Sequence, residues 1–401
     1  MTTKVNIQLS TMMFLQFFTW GAWFVTMGTF LATELKTDAD AIGVAYMTQA
    51  WGAIVAPFVI GLIADRFFSA QKLLGVLHIL GAGLLYMAGT SGNFAQFYPY
   101  ILSYMIVYMP TLALVNSVAF HQMTDPSKQF AKVRLWGTIG WIAAGMLIGY
   151  VFQWEAKNML GSTFMLAVIA SGTLGIYSFF LPETPPSTKS QKASIRDILG
   201  LESLGLLKDR NYLVFFLTSV LICIPLAFYY SFANAFLNEI EMQNAAGNMT
   251  FGQISEVLFM LLIPIFLRKY GLKMTLAVGM LAWALRYALF AYGDVGPSVW
   301  MLFLGIILHG ICYDFFFVSG QIFTDHKADD KIRSAAQGLI TLATYGVGML
   351  IGFKTAGLIV DHYVVPGSHD WQTIWMLPAG FALAVLIVFA FTFKNEQIKT
   401  K

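Results

Sequence analysis

Cysteine is nearly absent from this chain, with only Cys223 and Cys312 in 401 residues, and both fall inside apolar runs rather than in polar loops. A disulfide framework needs paired thiols at loop positions and a thiolate site needs clustered ligands, so buried thiols are expected instead. Charge is almost as scarce. Charged residues make up 11% of the chain against 58% hydrophobic ones, and mean hydropathy is +0.68, far from the composition of a soluble domain of this size. No long polar segment, nucleophile–base pair, metal-ligand cluster or appended signalling domain is visible. An intramembrane enzyme or a receptor is therefore disfavoured, and no catalytic residue, cofactor or metal is assigned. A cleavable leader is not expected either, because Met1 to Ser10 is short and polar, and the run after it is too long for a signal core and has no small-residue cleavage site. The expectation is an all-α membrane protein that keeps its first helix. Its surroundings are the lipid bilayer, with no role for nucleic acid.

What the chain does have is a succession of runs near the roughly 20 apolar residues that cross a bilayer as a helix. Twelve are expected, at 8–32, 41–64, 73–91, 96–121, 130–153, 160–181, 211–237, 250–267, 274–292, 298–323, 334–360 and 372–393. Lys and Arg cluster in alternate connections: Arg66 with Lys72, Lys128 with Lys132, Lys189 to Arg210, Arg268 to Lys273, Lys327 to Arg333, and the tail. The opposite connections hold only Lys36 and Lys157. The positive-inside rule then puts both termini in the cytoplasm, which requires an even number of crossings. Pro57, Pro110, Pro225 and Pro378 fall inside these runs and read as bends accommodated by neighbouring helices.

The one long connection, Glu183 to Arg210, carries Pro185 and Pro186 and then an amphipathic stretch opened by Ser194 and Asp197 at capping-box spacing. It divides the chain into an N-terminal six-helix bundle (1–182), a cytoplasmic linker (183–210) and a C-terminal six-helix bundle (211–401). A weak repeat agrees: GMLIGY at 145–150 returns as GMLIGF at 348–353, and Lys132-Val-Arg134 returns as Lys331-Ile-Arg333, at offsets of 203 and 199 residues. Parallel six-helix repeats place substrate between the halves.

Inside these runs lie a few ionisable side chains, and such groups mark ion or solute paths because a charge at membrane depth is costly unless it meets a cavity or a partner. Arg134, Thr138 and Trp141 are spaced i, i+4 and i+7, so one helical face carries a guanidinium, a hydroxyl and an indole. That face suits a polar aromatic solute, with forked hydrogen bonds from the guanidinium and a flat surface for stacking. Equally, Arg134 could snorkel to the inner surface while Trp141 packs as core. Gln253 and Glu256 share a face at i and i+3, and Glu256 could bind solute and carry a proton or stand in a static ion pair. His309 and Tyr313 share a face of the tenth run, with Asp314 turned away from His309 and able to meet Arg286 of the ninth. Asp314, His309 and Arg286 could form a proton relay; alternatively, Asp314 and Arg286 neutralise each other and His309 donates to a carbonyl. The aromatic start, with Phe17, Phe18, Trp20 and Trp23, faces either a cavity or lipid.

GLIADRFFSAQK at 61–72 resembles the loop signature of the major facilitator superfamily, with PIFLRKYGLK at 264–273 as a degraded partner. In that superfamily, residues at the positions of Gly61, Asp65 and Arg66 form a cytoplasmic gate. FLQFFTWGAWFVTMG near the start, YMPTLALVNS at 108–117, VRLWGTIGW at 133–141, GQISEVLFMLLIP at 252–264, AWALRYALFAYGD at 282–294 and DWQTIW at 370–375 are similar, in order and over nearly the whole chain, to the bacterial nucleoside:proton symporter family. The resemblance implies a major facilitator fold in the bacterial inner membrane and a monomeric, proton-coupled nucleoside importer working by alternating access. It implies nucleoside contacts at Arg134, Thr138, Gln253 and Glu256 and in the neighbourhood of Trp141, Tyr230, His309 and Tyr313; proton coupling is expected at Glu256 and Asp314 because they are ionisable groups at membrane depth. The chain departs from the family pattern at Ala227 and Tyr230, where Gln and Asn are usual, and at His309 and Tyr313, where Tyr and Phe are usual, so its hydrogen-bond pattern toward solute is altered. A facilitator-type carrier for a sugar or another small polar metabolite is the alternative.

Overall fold

A computed structural model describes residues 1–59, 68–186, 201–329 and 332–396. Gly61, Asp65 and Arg66, and the capping box of Ser194 and Asp197, lie outside them. The described chain is almost entirely helical, with a short hairpin of β1 (Val364–Val365) and β2 (Ser368–His369) turning at Gly367. It forms two compact units, Met1–Ser194 with Gln243–Gly247, and Ile195–Met242 with Asn248–Lys401.

The first unit contains α1 (Thr3–Gly21), α2 (Met27–Thr33), α3 (Ala39–Val59), α4 (Ala70–Gly89), α5 (Phe94–Gln122), α6 (Pro126–Met146) and α7 (Gly161–Ser178). Most of the second is α8 (Arg210–Glu239), α9 (Ala245–Met260), α10 (Ile263–Tyr292), α11 (Val299–Tyr313), α12 (Ser319–Lys327), α13 (Arg333–Thr341), α14 (Met349–His362) and α15 (Trp371–Thr392). Polar side chains start several of them by accepting a free amide of the first turn: Thr2 takes Val5, Asn93 takes Gln96, Asp209 takes Tyr212 and Asp370 takes Thr373. Large apolar side chains such as Leu217, Leu285 and Val388 are exposed, while Gln16, His78 and Arg286 are buried. That inversion of the soluble pattern suits a lipid-facing surface.

Among the described residues, ten helices are long and apolar enough to cross a membrane. The first and eighth expected runs are not among them, and each is broken. Residues 22–26 form a turn between α1 and α2, and the Tyr46 hydroxyl bridges it, donating to the Phe24 carbonyl at 2.8 Å and accepting the Gly28 amide at 3.1 Å. Backbone groups freed inside a membrane protein need such partners. The eighth run stops at Met260 instead of 267, and the chain restarts at Ile263–Pro264, where proline supplies no amide to continue the ladder. Gly271 then breaks α10 with φ 77° and ψ 172°, a conformation essentially confined to glycine.

In the first unit α6 lies against α1 through two glycines. A Cβ at Gly140 would fall 2.2 Å from the Phe14 carbonyl oxygen, and one at Gly137 would fall 2.6 Å from the Phe17 ring. The close approach is possible because neither residue has a side chain. Gly140→Ala is therefore expected to cost about 1–3 kcal/mol, the usual range for overpacking. Gly172→Ala serves as the control, because nothing lies within 4 Å of its added methyl and the change favours helix. Thermal melts in detergent should show a clear drop for the first and none for the second.

Three helices pass through π-helical turns, Leu147–Phe152 after α6, Asp314–Val318 after α11 and Leu342–Gly348 after α13. Such turns recur at functional sites because they rotate the following side chains. Both copies of the sequence repeat adjoin one of them.

Candidate functional site

In the first unit, α6 presents Arg134, Thr138 and Trp141, all half-buried, on the side that meets α1. The Arg134 guanidinium sits over the Phe17 ring, 4.0 Å from its centroid, a cation–π contact that fixes the charge without cancelling it. Trp141 packs edge-on to Trp20 at 5.5 Å and to Phe24 at 6.4 Å between centroids, with Gly21 beneath its ring. The early aromatics thus face the interior of the unit: Trp23 and Phe18 are buried, and Trp20 also meets Tyr108 edge-on. Sequence spacing did not identify Phe17 or Tyr108 as neighbours of this face, because a residue on another helix leaves no periodic signal.

Behind them runs a buried polar chain. His78 Nε2 is 2.8 Å from Gln16 Oε1 and His78 Nδ1 is 3.0 Å from Ser171 Oγ, while Gln16 Nε2 donates to Thr111 Oγ1 at 2.7 Å. The Tyr108 hydroxyl donates to the Gln16 carbonyl at 2.8 Å. These bonds tie α1, α4, α5 and α7 together and satisfy groups that hydrocarbon could not.

In the second unit, α9 and α11 approach so closely that a Cβ at Gly310 would fall 2.5 Å from the Ser255 backbone. Ser255 Oγ accepts the Gly310 amide at 3.1 Å and donates to the Ile307 carbonyl at 2.7 Å. This crossing brings His309 beside Glu256, with Nε2 4.0 Å from Oε2. His309 is buried, and 22% of the Glu256 side chain is exposed. Gln253, one turn before Glu256 on α9, is half-buried.

The other ring nitrogen of His309, Nδ1, lies 2.9 Å from Arg286 Nη1. Arg286 has no exposed surface, and its guanidinium stacks over Tyr229 at 3.4 Å from the ring centroid. No ion pair links Arg286 to Asp314 among the described residues, so the pairing expected as one possibility is replaced by a contact with His309. The reason is helical phase: Asp314 begins the π-helical turn and points away from the face that carries His309 and Cys312. Asp314 is fully buried, its carboxyl lies beside the Met260 backbone, and no side chain among the described residues hydrogen-bonds either oxygen. Glu256 lies within its electrostatic reach.

Tyr313 bonds through its hydroxyl to Tyr345 in the π-helical turn before α14, at 2.5 Å. Tyr230 is within electrostatic reach of both Tyr345 and Glu256. Tyr229 and Tyr345 are thus additions to the expected set, and only their position one helix away hid them. Ala227, at one of the departures from the family pattern, is fully buried. Both cysteine thiols are buried and free. Among the described residues no group of His, Cys, Asp or Glu side chains could hold a metal ion.

Comparison with known proteins places this geometry in context. The family model described as "Nucleoside H+ symporter" matches residues 1–398. The putative nucleoside transporter YegT of Escherichia coli (strain K12) is 42% identical over 405 positions, covering 98% of this chain and 95% of its own. Nucleoside permease NupG of the same organism is 33% identical, covering 99% and 97%. The crystal structure of nucleoside transporter NupG superposes with a TM-score of 0.88 at 32% identity, covering 98% of this chain and 100% of the other.

Proposed function

The chain belongs to the nucleoside H+ symporter family and has the major facilitator fold, and on that premise we propose that it is a proton-coupled nucleoside importer working by alternating access. Transport, not catalysis, is the work of its family and structural neighbours. It acts as a monomer in the bacterial inner membrane with both termini in the cytoplasm. Its twelve crossings form two six-helix bundles, 1–182 and 211–401, joined by the linker 183–210, and Gly61, Asp65 and Arg66 gate the cytoplasmic side.

The observation that carries this reading is the concentration of polar and ionisable side chains deep in otherwise apolar helices, and the resemblance supports it by implying nucleoside contacts at these positions. Arg134, Thr138 and Trp141 supply donors and a stacking surface to the solute. Tyr230, Gln253, Glu256, His309 and Tyr313 supply hydroxyl, amide, carboxylate and imidazole groups from the second unit. Asp314 is buried beside Glu256 and has no cation paired with it among the described residues, so it suits proton exchange better than a fixed ion pair. Glu256 carries the proton that is read by the solute, because it can be a ligand and a base at once.

Three further features support a solute that differs in detail from those of relatives. Tyr230 is bulkier than the Asn usual there, Ala227 removes a donor, and His309 with Tyr313 replaces Tyr and Phe. A panel of radiolabelled nucleosides, bases and sugars in membrane vesicles tests the reading. Uridine or adenosine should accumulate when the outside is made acidic and equilibrate without a gradient. Uptake of a sugar with no competition from either nucleoside would instead identify a facilitator-type carrier.

A further inference from the structure

His309 sits between a cation and a carboxylate, and its two neighbours determine where its single ring proton must be. Arginine offers only donors. The 2.9 Å contact of Arg286 Nη1 with His309 Nδ1 therefore exists only with a lone pair on Nδ1, and the remaining proton is on Nε2. That nitrogen is the one 4.0 Å from Glu256 Oε2. Arg286 is itself held: it is fully buried, its guanidinium lies on Tyr229, and besides His309 the polar side chains it reaches are the weak acceptors Tyr229 and Cys312, the latter at 3.8 Å from Nη1. Nδ1 is thus the acceptor that best satisfies a buried donor, and giving it up would leave the guanidinium poorer still. The imidazole is clamped from the sides as well. Tyr229 stacks on it at 5.2 Å between centroids, and Gly252 leaves its Cβ only 3.2 Å from the position a side chain would take.

We propose that Arg286 is a positioning residue that fixes His309 as a neutral imidazole with its Nε2–H on the side of Glu256, so that His309 faces this carboxylate as a dipole at 4.0 Å and does not itself carry the coupled proton. This rests on the reading of Glu256 as the carboxylate that meets solute and proton. It removes His309 from the possible relay and leaves the carboxyl groups to cycle. It also explains how a histidine is accommodated where the family usually has tyrosine, because a clamped Nε2–H is a neutral single donor, as a tyrosine hydroxyl is. The other titratable or charged side chains around the triad are Tyr229 and Tyr230 on α8, Tyr287 on α10, Cys312 and Tyr313 on α11, and Asp314 after it.

Two measurements on the full chain test the proposal. The first needs no solute: the 15N spectrum of histidine-labelled protein, with His309→Gln identifying the signal. Nδ1 should stay unprotonated and Nε2 protonated between about pH 5 and 8, where an ordinary histidine titrates; a His309 signal that titrates in that window overturns the proposal. The second uses proteoliposomes. In His309→Gln, Oε1 can accept from Arg286 and Nε2 can donate to Glu256, although the amide cannot carry a proton. Whatever the change in nucleoside affinity, the ratio of proton-driven uridine accumulation to uridine exchange should stay within about twofold of the unsubstituted protein in His309→Gln, whereas His309→Phe, which offers neither atom, should lower that ratio about tenfold. Arg286→Met, which removes the donor to Nδ1, should let the Nδ1–H tautomer appear beside the Nε2–H form; an unchanged pure Nε2–H tautomer would overturn the positioning role of Arg286. Loss of accumulation in His309→Gln with uridine exchange intact would show that His309 carries the proton and overturn the proposal. If the unsubstituted protein moved no nucleoside, the nucleoside reading would fail, and the nitrogen spectrum alone would still decide the role of Arg286.

Discussion

Glu256→Gln and Asp314→Asn are each expected to lower proton-driven nucleoside accumulation by about tenfold or more while leaving nucleoside exchange partly intact, because coupling between two ligands on one protein is worth typically 1–3 kcal/mol. The two should differ in a second respect. Glu256 is partly exposed, shares a face with Gln253 and meets His309 Nε2, so its amide variant should also raise the nucleoside concentration for half-maximal exchange. Asp314 is fully buried, with the Met260 backbone as its hydrogen-bonding neighbour, so its variant should leave that concentration nearly unchanged. A group that binds solute moves both quantities, and one that only exchanges a proton moves the coupling alone. Parallel assays of gradient-driven uptake and of counterflow in the same vesicles separate them. Equal losses of both activities in both variants would mean that the carboxylates hold the fold together and do no coupling.

Arg134→Ala carries the second large effect. The guanidinium is half-buried over Phe17, and a hydrogen bond from a charged group to solute contributes about 1.5–3 kcal/mol. Its loss should raise the half-saturation concentration about 10- to 100-fold, with the maximal rate much less affected. Arg134→Lys should recover only part of this, since an ammonium keeps the charge but not the planar fork. Phe17→Leu should give a smaller loss of the same kind, because it removes the surface on which the guanidinium rests. Unchanged nucleoside binding by Arg134→Ala would take Arg134 out of the site and leave it as a surface anchor near the helix end.

The fold was legible in the sequence because its cause is legible there: runs of apolar residues of bilayer length, divided by basic connections, dictate helices across a membrane. Breaks within the first and eighth runs were not, since what permits them is remote or conformational. The Tyr46 hydroxyl bridges the break before Met27 from another helix, and Gly271 adopts a backbone angle that periodicity does not report. For the site, spacing on a single helix placed Arg134, Thr138 and Trp141 together, and likewise Gln253 with Glu256. It could not join residues across helices. Arg286 was recognised as a deep cation and its partner was open; the structure gives it His309 and Tyr229 rather than Asp314. Phe17 under Arg134 and Tyr345 beside Tyr313 were beyond reach for the same reason.

The departures at Ala227, Tyr230, His309 and Tyr313 change size and hydrogen-bond character together. Swapping a hydrogen-bonding group for a group without one changes selectivity far more than adding or removing a methylene, because the unmatched polar partner is left buried. Selectivity among nucleosides is therefore expected to follow Tyr230 and His309 more than the first-unit residues, and exchanging these two for Asn and Tyr should shift the ranking of competing nucleosides.

The central claim is that nucleoside and proton move together, and a lightly buffered vesicle suspension tests it most directly. With a pH-sensitive dye outside, adding uridine or adenosine should alkalinise the medium as protons enter with the solute, and Asp314→Asn should abolish the signal while labelled nucleoside still exchanges. Nucleoside entry at full rate with no change in external pH would contradict coupled transport.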